Sequence, residues 1–285
     1  MSGYFWMNIE KFSQILKSES RYISRNRWLL PVKAIPGLPS LIYYSLIIFV
    51  IIRDGFIARI GKYSRKRWNR SSFQIIKIIE YAGGRFDMSG LDCISGHKEP
   101  VVFVSNHMSM LDTFIMPTII LAFKELTFVV KEELLEYPIW RFVMKATKPI
   151  AVSRQNPRED LHKVLSEGEA CLKSGNSVFI FPQSTRSSVF DPGSFNSLGV
   201  KLAKRAGVFV IPVAIKTDFQ KNGRLIKDMG PVDPRKTIYI KFGKPLQVEG
   251  NGSKTHKIIV DFISTNLKNW GSTVKEAPSS DSGKP

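Results

Sequence analysis

The sequence predicts an α/β fold, with a mixed, largely parallel sheet flanked by helices and an N-terminal membrane-associated helical segment. Two patterns support this prediction. Short apolar runs bounded by turn residues alternate with stretches of helical periodicity, which is typical of strands joined by helical crossovers. Nearer the N-terminus, residues 34–52 contain no charged side chain. Such a stretch indicates either a membrane-facing helix or a buried one.

The membrane-associated segment is expected to cover residues 1–70. Prolines and a glycine interrupt the front of its apolar stretch, so continuous helix is expected over residues 40–52, about 20 Å long. That is shorter than the ~30 Å hydrocarbon core of a bilayer. Basic residues flank both ends, whereas a spanning helix usually carries a one-sided excess. The favoured interpretation is a helix pair dipped into one leaflet, on the cytoplasmic face of the cell membrane. A tilted single span and a buried core helix are the alternatives.

The chain is strongly basic, with a formal net charge of +18 at pH 7. Residues 1–80 hold 14 Lys and Arg against 4 acids, and their densest basic run is residues 65–70. Basic clusters attract anionic lipid headgroups by about 1 kcal/mol per charge, and they attract nucleic acid phosphates too. Because an apolar segment lies beside this run, an anionic membrane surface is the expected partner and nucleic acid is not.

Residues 71–270 are expected to form the α/β domain. An amphipathic helix is predicted at 71–80, a second helix at 158–173 and a closing helix at 253–270. Strands are predicted at residues 101–105, 126–130, 149–153, 177–181, 208–215 and 237–242. The Ser-, Pro- and charge-rich residues 271–285 are predicted to be a disordered tail.

The most informative stretch, residues 106–112, directly follows the first of these strands. In an ideal helix a five-residue offset turns through about 140°, so His107 and Asp112 would not share a face. They can meet if His107 lies in the strand-to-helix turn and Asp112 in the first helical turn, with Ser109 as the N-cap. The spacing then indicates a base and its orienting carboxylate. The alternative is a simple capping box from Ser109 to Asp112, beside an ordinary loop histidine.

Three further blocks follow in order along the chain. The first consists of Lys131, Pro138 and Arg154; the second is Phe-Pro-Gln-Ser-Thr-Arg-Ser at residues 181–187; the third is a strand-like run interrupted by Pro212. Together with Asn106, His107 and Asp112 as Asn-His-x4-Asp, they resemble the glycerolipid acyltransferase family, whose type members are the 1-acylglycerol-3-phosphate acyltransferases. Order and spacing agree over about residues 90–245.

This resemblance implies transfer of a fatty acyl group from acyl-CoA or acyl carrier protein to the free hydroxyl of a lysophospholipid. The most direct acceptor is 1-acylglycerol-3-phosphate, which would give phosphatidic acid. His107 would act as general base and Asp112 would orient it, the logic of the serine triad with the lysolipid hydroxyl in place of the serine. The substrate-binding residues would be Lys131, Arg154, Gln183, Ser184, Thr185 and Arg186. The cations among them each follow a strand-like run, so parallel strands would bring them to the sheet edge that carries His107.

Two positions depart from the family pattern. Gln183 stands where the family has Glu, and Ser184 stands where it has Gly. Gln keeps an acceptor oxygen but loses the charge, so it can replace a Glu that holds a loop but not one that acts as a charged ligand. Ser restricts the backbone to negative φ. These departures leave open another glycerolipid or an amino-lipid as acceptor.

Other enzyme classes lack their signatures in this sequence, which contains no Gly-x-Ser-x-Gly elbow, no cluster of zinc ligands and no Gly-x4-Gly-Lys-Ser/Thr loop. Cys93 and Cys171 lack metal-binding spacing and are expected to be reduced core residues. No metal or cofactor is therefore expected. A non-enzymatic basic membrane-binding protein is the remaining alternative, and it would not need His107 or Asp112.

Overall fold

The protein is described by a computed structural model that covers residues 7–24, 35–183, 185–223 and 229–276. The strands of its sheet are β1 (Arg21–Ile23), β2 (Arg85–Ser89), β3 (Val102–Ser105), β4 (Glu125–Lys131), β5 (Ile150–Val152), β6 (Asn176–Ile180), β7 (Val210–Lys216) and β8 (Thr237–Phe242). They lie in the order β1-β2-β8-β7-β3-β6-β4-β5. The pairs β1–β2 and β7–β8 are antiparallel and the other neighbours are parallel. The predicted mixed, largely parallel sheet is confirmed.

Helices cover both faces of this sheet. They are α1 (Ile9–Ser18), α2 (Leu38–Arg59), α3 (Arg65–Tyr81), α4 (Asp92–Ser95), α5 (Leu111–Ile120), α6 (Trp140–Thr147), α7 (Pro157–Lys173), α8 (Leu198–Ala206) and α9 (Ser253–Asn269). Helices α1, α2, α3 and α5 share one hydrophobic cluster with one sheet face, and α7, α8 and α9 share another with the opposite face. Along β3, Phe103 belongs to the first cluster, whereas Val102 and Val104 belong to the second. This alternation is expected of a strand buried on both faces.

Strand β3 lies inside the parallel part of the sheet. It pairs in parallel with β6 on one side and β7 on the other, and β4 and β5 continue the parallel arrangement beyond β6. The carboxyl ends of five strands therefore meet at one edge. In open α/β sheets, ligands bind in the crevice outside this edge.

The predicted domain boundary after residue 70 falls inside helix α3. Ser64 caps that helix by accepting from the Arg67 backbone N–H at 3.2 Å, so the helix starts at Arg65. Phe12 and Leu16 of α1 are fully buried in the main core, and β1 pairs with β2. Helix α1 and strand β1 are thus packed into the α/β domain.

Beyond α9, at the predicted start of a disordered tail, the chain bonds to Phe190. Phe190 donates its backbone N–H to the Thr273 carbonyl at 3.0 Å, and Lys275 donates its own to the Phe190 carbonyl at 2.8 Å. These bonds keep the chain in place through residue 276. Residues 277–285 lie outside the described residues.

Helix α2 is longer than the predicted 40–52, with 22 residues, or about 33 Å. Among the helices that the structure describes, α2 is long and apolar enough to cross a membrane. One stripe of it is buried: Tyr43 donates to Gln220 Oε1 at 3.1 Å, and Asp54 accepts from Arg67 at 3.2 Å. The opposite stripe is exposed and apolar, with residues Leu41, Ile48, Phe49, Ile52, Phe56 and Ile60. The helix is therefore attached lengthwise to the domain and presents one apolar face outward.

Candidate active site

The turn between β3 and α5 carries the central residues of the site. Asn106 is buried, and its side chain bonds the neighbouring strand β7 twice. Its Nδ2 donates to the Ile215 carbonyl at 2.7 Å, and its Oδ1 accepts from the Ile215 N–H at 2.9 Å. These bonds replace the backbone ladder at the point where the chain leaves the sheet. Asn106 thus fixes where the turn containing His107 begins.

His107 and Asp112 meet as the spacing predicts. The Nδ1 atom of His107 lies 2.8 Å from Oδ2 of Asp112. His107 is in the turn and Asp112 is in the first turn of α5, as expected from their five-residue offset. Helix α5 begins at Leu111, with Met110 rather than Ser109 at the N-cap position; Ser109 Oγ accepts from the Leu111 N–H at 3.2 Å.

The Asp112 carboxylate is fully buried and is held by several donors. Oδ2 accepts the Met108 N–H at 2.6 Å and the Ser109 N–H at 3.1 Å, in addition to the His107 ring. A buried anion at this position can hold the His107 ring in one orientation and stabilise a positive charge on it.

Thr217 supplies a further donor that the sequence analysis missed. Its hydroxyl donates to Oδ1 of Asp112 at 2.5 Å and accepts from Ser109 Oγ at 2.9 Å. Thr217 directly follows β7 and is fully buried. It lies 105 residues after Asp112, so no local pattern links the two residues. Only the parallel pairing of β7 with β3 brings them together.

The loop that follows β6 holds the backbone of His107 from both sides. Gln183 Oε1 accepts the His107 N–H at 2.6 Å, and Ser187 donates its backbone N–H to the His107 carbonyl at 3.0 Å. Gln183 is buried. The Gln183 amide therefore holds the turn. A neutral amide oxygen can accept this bond as well as the carboxylate of the Glu found in the family. Ser187 was also missed by the sequence analysis.

The imidazole of His107 lies on the ring of Phe181, with ring centroids 4.1 Å apart and planes 21° apart. Its side chain is 16% exposed. Because Nδ1 is bonded to the carboxylate, the neutral ring presents Nε2 as its proton acceptor. The arrangement can remove a proton from a hydroxyl that reaches this nitrogen.

The cationic candidates lie along the same sheet edge. Arg186 lies in the loop between Gln183 and Ser187, both of which bond the His107 backbone, and Thr185 is exposed in the same loop. Ser184 lies outside the described residues. Lys131 ends β4, and Arg154 follows β5. Because neighbouring strands are about 4.8 Å apart, the ends of β4 and β5 are about 10 Å and 15 Å from that of β3.

Arg154 occupies a restrained turn. Its φ is +62°, a left-handed conformation that is uncommon for a residue other than glycine. Asp160 holds the turn by accepting the Arg154 N–H at 2.7 Å and the Ser153 N–H at 2.9 Å. Burial lowers the pKa of the Arg154 guanidinium, and nearby Glu133 and Asp160 act in the opposite sense. Lys131 pairs with Glu133 at 3.2 Å. The structure thus places Arg186 in the loop that contacts the His107 turn, and Lys131 and Arg154 farther along the edge.

Comparison with known proteins connects this site with acyl transfer. A family model described as Acyltransferase matches residues 85–216, which include β3, the His107 turn and β7. The chain is 32% identical over 189 residues to the 1-acyl-sn-glycerol-3-phosphate acyltransferase of Pseudomonas aeruginosa, covering 66% of this chain and 69% of that protein. It is 30% identical over 170 residues to the chloroplastic 1-acyl-sn-glycerol-3-phosphate acyltransferase of Arabidopsis thaliana, covering 60% of this chain and 47% of that protein.

The fold also matches a solved structure. The 1-acyl-sn-glycerophosphate acyltransferase PlsC from Thermotoga maritima superposes with a TM-score of 0.61 at 17% sequence identity. The match covers 86% of this chain and 100% of that chain. At this level of identity the likeness concerns the architecture.

Proposed function

Because this chain belongs to the acyltransferase family and is an O-acyltransferase, we propose that it acylates the free hydroxyl of 1-acyl-sn-glycerol-3-phosphate, giving phosphatidic acid. The printed activities of the similar proteins support this choice of acceptor. The observation that carries the proposal is the His107–Asp112 pair at the carboxyl edge of the sheet, with a fully buried carboxylate and a partly exposed imidazole.

In the proposed reaction, Nε2 of His107 takes the proton of the acceptor hydroxyl as its oxygen attacks the thioester carbonyl. A new C–O bond forms and the carbonyl oxygen becomes an oxyanion. The intermediate then collapses, the C–S bond breaks, and the leaving thiolate receives the proton from the imidazolium. Asp112 stabilises that imidazolium without itself taking the proton. Gln183 and Thr217 act as positioning residues for His107 and Asp112.

Arg186 is the proposed ligand of the acceptor's phosphate, because its loop contacts the His107 turn directly. A guanidinium can bind a phosphate through two parallel hydrogen bonds. Lys131, Arg154, Thr185 and Ser184 complete the proposed substrate-binding edge. Acyl-CoA and acyl carrier protein are both acidic and both suit this basic edge as donors.

The proposed location is the cytoplasmic face of the membrane, with α2 lying in one leaflet. Its buried stripe is bonded to the domain from Tyr43 to Asp54, and its opposite stripe is apolar and exposed. A helix that dips out of water on one side only can bury this stripe in the headgroup and acyl region. Basic residues near its end, such as Arg59 and Lys62, favour an anionic surface.

A screen of acceptors against both donors tests the proposed function. Purified enzyme is offered 1-acylglycerol-3-phosphate, a zwitterionic lysolipid, an amino-lipid and glycerol-3-phosphate, each with acyl-CoA or acyl carrier protein. Products are identified by mass spectrometry. We expect phosphatidic acid as the main product. Acylation of the zwitterionic or amino-lipid acceptor at a higher kcat/KM would contradict the proposal.

Replacing Gln183 with Glu tests whether this position only holds the turn. We expect Gln183→Glu to change the rate modestly and to leave the acceptor preference within tenfold, about 1.4 kcal/mol. The reason is that the side-chain oxygen faces the His107 N–H, an interaction that a carboxylate can also make. The measurement is a competition between 1-acylglycerol-3-phosphate and a zwitterionic lysolipid, run on both proteins. A preference that moves by more than tenfold would show that Gln183 helps to select the headgroup.

Thr217→Val removes one donor to Asp112 at almost constant side-chain volume. We expect kcat to fall about tenfold with little change in KM, since a hydrogen bond to a charged group contributes about 1.5–3 kcal/mol. Thr217→Ser, which keeps the hydroxyl, should restore most of the rate. Thr118→Val is the matched control, because Thr118 is equally buried and its hydroxyl donates to Asn69 at 2.8 Å, away from the site. If both valine variants lower kcat alike, Thr217 has only a structural role.

A further inference from the structure

The turn before α6 exposes three consecutive residues, Tyr137, Pro138 and Ile139, which we call the 137–139 turn. Tyr137 is 51% exposed and Ile139 is 43% exposed. Pro138 is exposed as well. A tyrosine, a proline and an isoleucine together form an apolar tip, because none of the three side chains carries a charge. Such a tip in water needs an explanation beyond local packing.

The backbone of this turn is strained. Ile139 has φ +65° and ψ −54°, and the Trp140 N–H donates to the Pro138 carbonyl at 2.7 Å. These values describe a classic γ-turn, which is rare and strained. A β-branched residue at positive φ is an outlier in its own right. Strained turns persist only where the surrounding structure holds them, and they cluster at functional positions.

Contact with Gly55, which is buried, places the turn beside the outward apolar face of α2. A Cβ built on Gly55 would lie 2.4 Å from Cγ2 of Ile139, so the isoleucine side chain rests directly on this glycine. At 100° per residue, Gly55 is about 20° from Ile48 and about 60° from Ile52 around the helix axis, but about 120° from Tyr43. Ile48 and Ile52 are exposed, whereas Tyr43 is buried. Ile139 therefore extends the exposed stripe of α2.

Two arginines border this extended surface. The guanidinium carbons of Arg59 and Arg141 lie 5.9 Å and 4.9 Å from the centre of the Phe142 ring. Two arginines on one aromatic ring form a rim of the kind that attracts lipid phosphates beside a dipped apolar surface. Exposed Lys62 adds positive charge at the same end of α2, whereas Lys145 is paired with Glu136 at 3.3 Å.

We propose that the 137–139 turn is a second membrane-inserting element, which enters the same leaflet as α2 and is bordered by Arg59 and Arg141 at headgroup level. Its occupant is a lipid leaflet with anionic headgroups. The proposal deepens the membrane association proposed for this enzyme and depends on it. Because β4 ends at Lys131 and a short 3-10 helix, Glu132–Leu135, joins it to this turn, insertion would bring the substrate-binding edge close to the leaflet that holds the lipid acceptor.

Vesicle binding of the full chain, measured by sedimentation without substrates, tests the proposal. Ile139→Ser and Ile139→Gly are compared with wild type, with Phe56→Ser on α2, and with Ile258→Ser. Ile258 is the matched control: it is 41% exposed and lies on α9, on the other side of the sheet. Glycine tolerates positive φ, so Ile139→Gly removes the side chain while relieving the backbone. Thermal unfolding of each variant is recorded alongside.

We expect both Ile139 variants to partition about fivefold more weakly into vesicles of phosphatidylcholine and phosphatidylglycerol, because roughly half of an isoleucine side chain no longer enters hydrocarbon. Ile258→Ser should bind as wild type does. If Ile139→Gly and Ile139→Ser bind normally while Phe56→Ser does not, the second element is refuted and the role of α2 stands. If Phe56→Ser also binds normally, the membrane association itself is refuted, although acyl transfer in detergent would be unaffected. Equal binding to pure phosphatidylcholine would refute the anionic headgroups.

Discussion

We expect His107→Ala to lower kcat by about three orders of magnitude, since a positioned general base contributes about 10²–10⁴ to a rate. The His107 side chain contacts Asp112 and Phe181 and is partly open to the sheet edge. Its backbone contacts to Gln183 and Ser187 do not depend on the side chain. The fold should therefore survive, and the KM for the acceptor should change little.

The measurement is a steady-state assay of phosphatidic acid formation on detergent-solubilised protein, with thermal unfolding as a test of the fold. His162→Ala is a suitable control, because His162 is an exposed histidine on α7 that is not among the proposed site residues. Full activity is expected for that variant. A rate for His107→Ala near that of wild type would show that His107 is not the base. The alternative of a binding protein that needs neither His107 nor Asp112 would then be favoured.

Local sequence signals predicted the His107–Asp112 pair, because the two residues are five positions apart and a strand-to-helix turn is the geometry that joins them. The same holds for the six strands whose short apolar runs stand between turn residues. Strands β1 and β2 were missed. Strand β1 has three residues, and β2 alternates polar and apolar side chains beside charged neighbours, so neither carries a continuous apolar run.

Local sequence signals could not predict contacts between distant parts of the chain. Arg53 and Asp54 look like the end of an apolar helix, yet α2 continues to Arg59. The reason is that Asp54 is buried and accepts from both Arg53 and Arg67, so its charge is neutralised by another helix. Thr217 is missed for the same reason. Its hydroxyl acquires a role only when β7 pairs with β3.

For Gln183, the sequence predicted the position but not the role. The resemblance to glycerolipid acyltransferases located the position and raised two roles, a charged ligand or a loop holder. The bond from the His107 N–H to Oε1 supports the second role for this chain. Sequence could not separate the two, because the answer depends on which direction a buried amide faces.

The second large effect is expected for Asp112→Asn, which should lower kcat by about 10²–10³ through loss of the charge opposite the imidazolium. The three donors on Oδ2 are the His107 ring and the backbone N–H groups of Met108 and Ser109. These donors constrain the asparagine to place its carbonyl oxygen at this position. The His107 ring can then keep its orientation, and the amide nitrogen faces the Thr217 hydroxyl, which can rotate to accept.

This geometry separates the charge of Asp112 from its structural role. Asp112→Ala leaves two buried backbone donors without an acceptor, at about 1–3 kcal/mol each, so it should lower both the unfolding temperature and kcat. Asp112→Asn should lower mainly kcat. Comparing kcat and thermal unfolding across the two variants decides the matter. An asparagine variant that unfolds as early as the alanine variant, or one that works at the wild-type rate, would mean that Asp112 acts as a helix cap and not as the partner of a catalytic base.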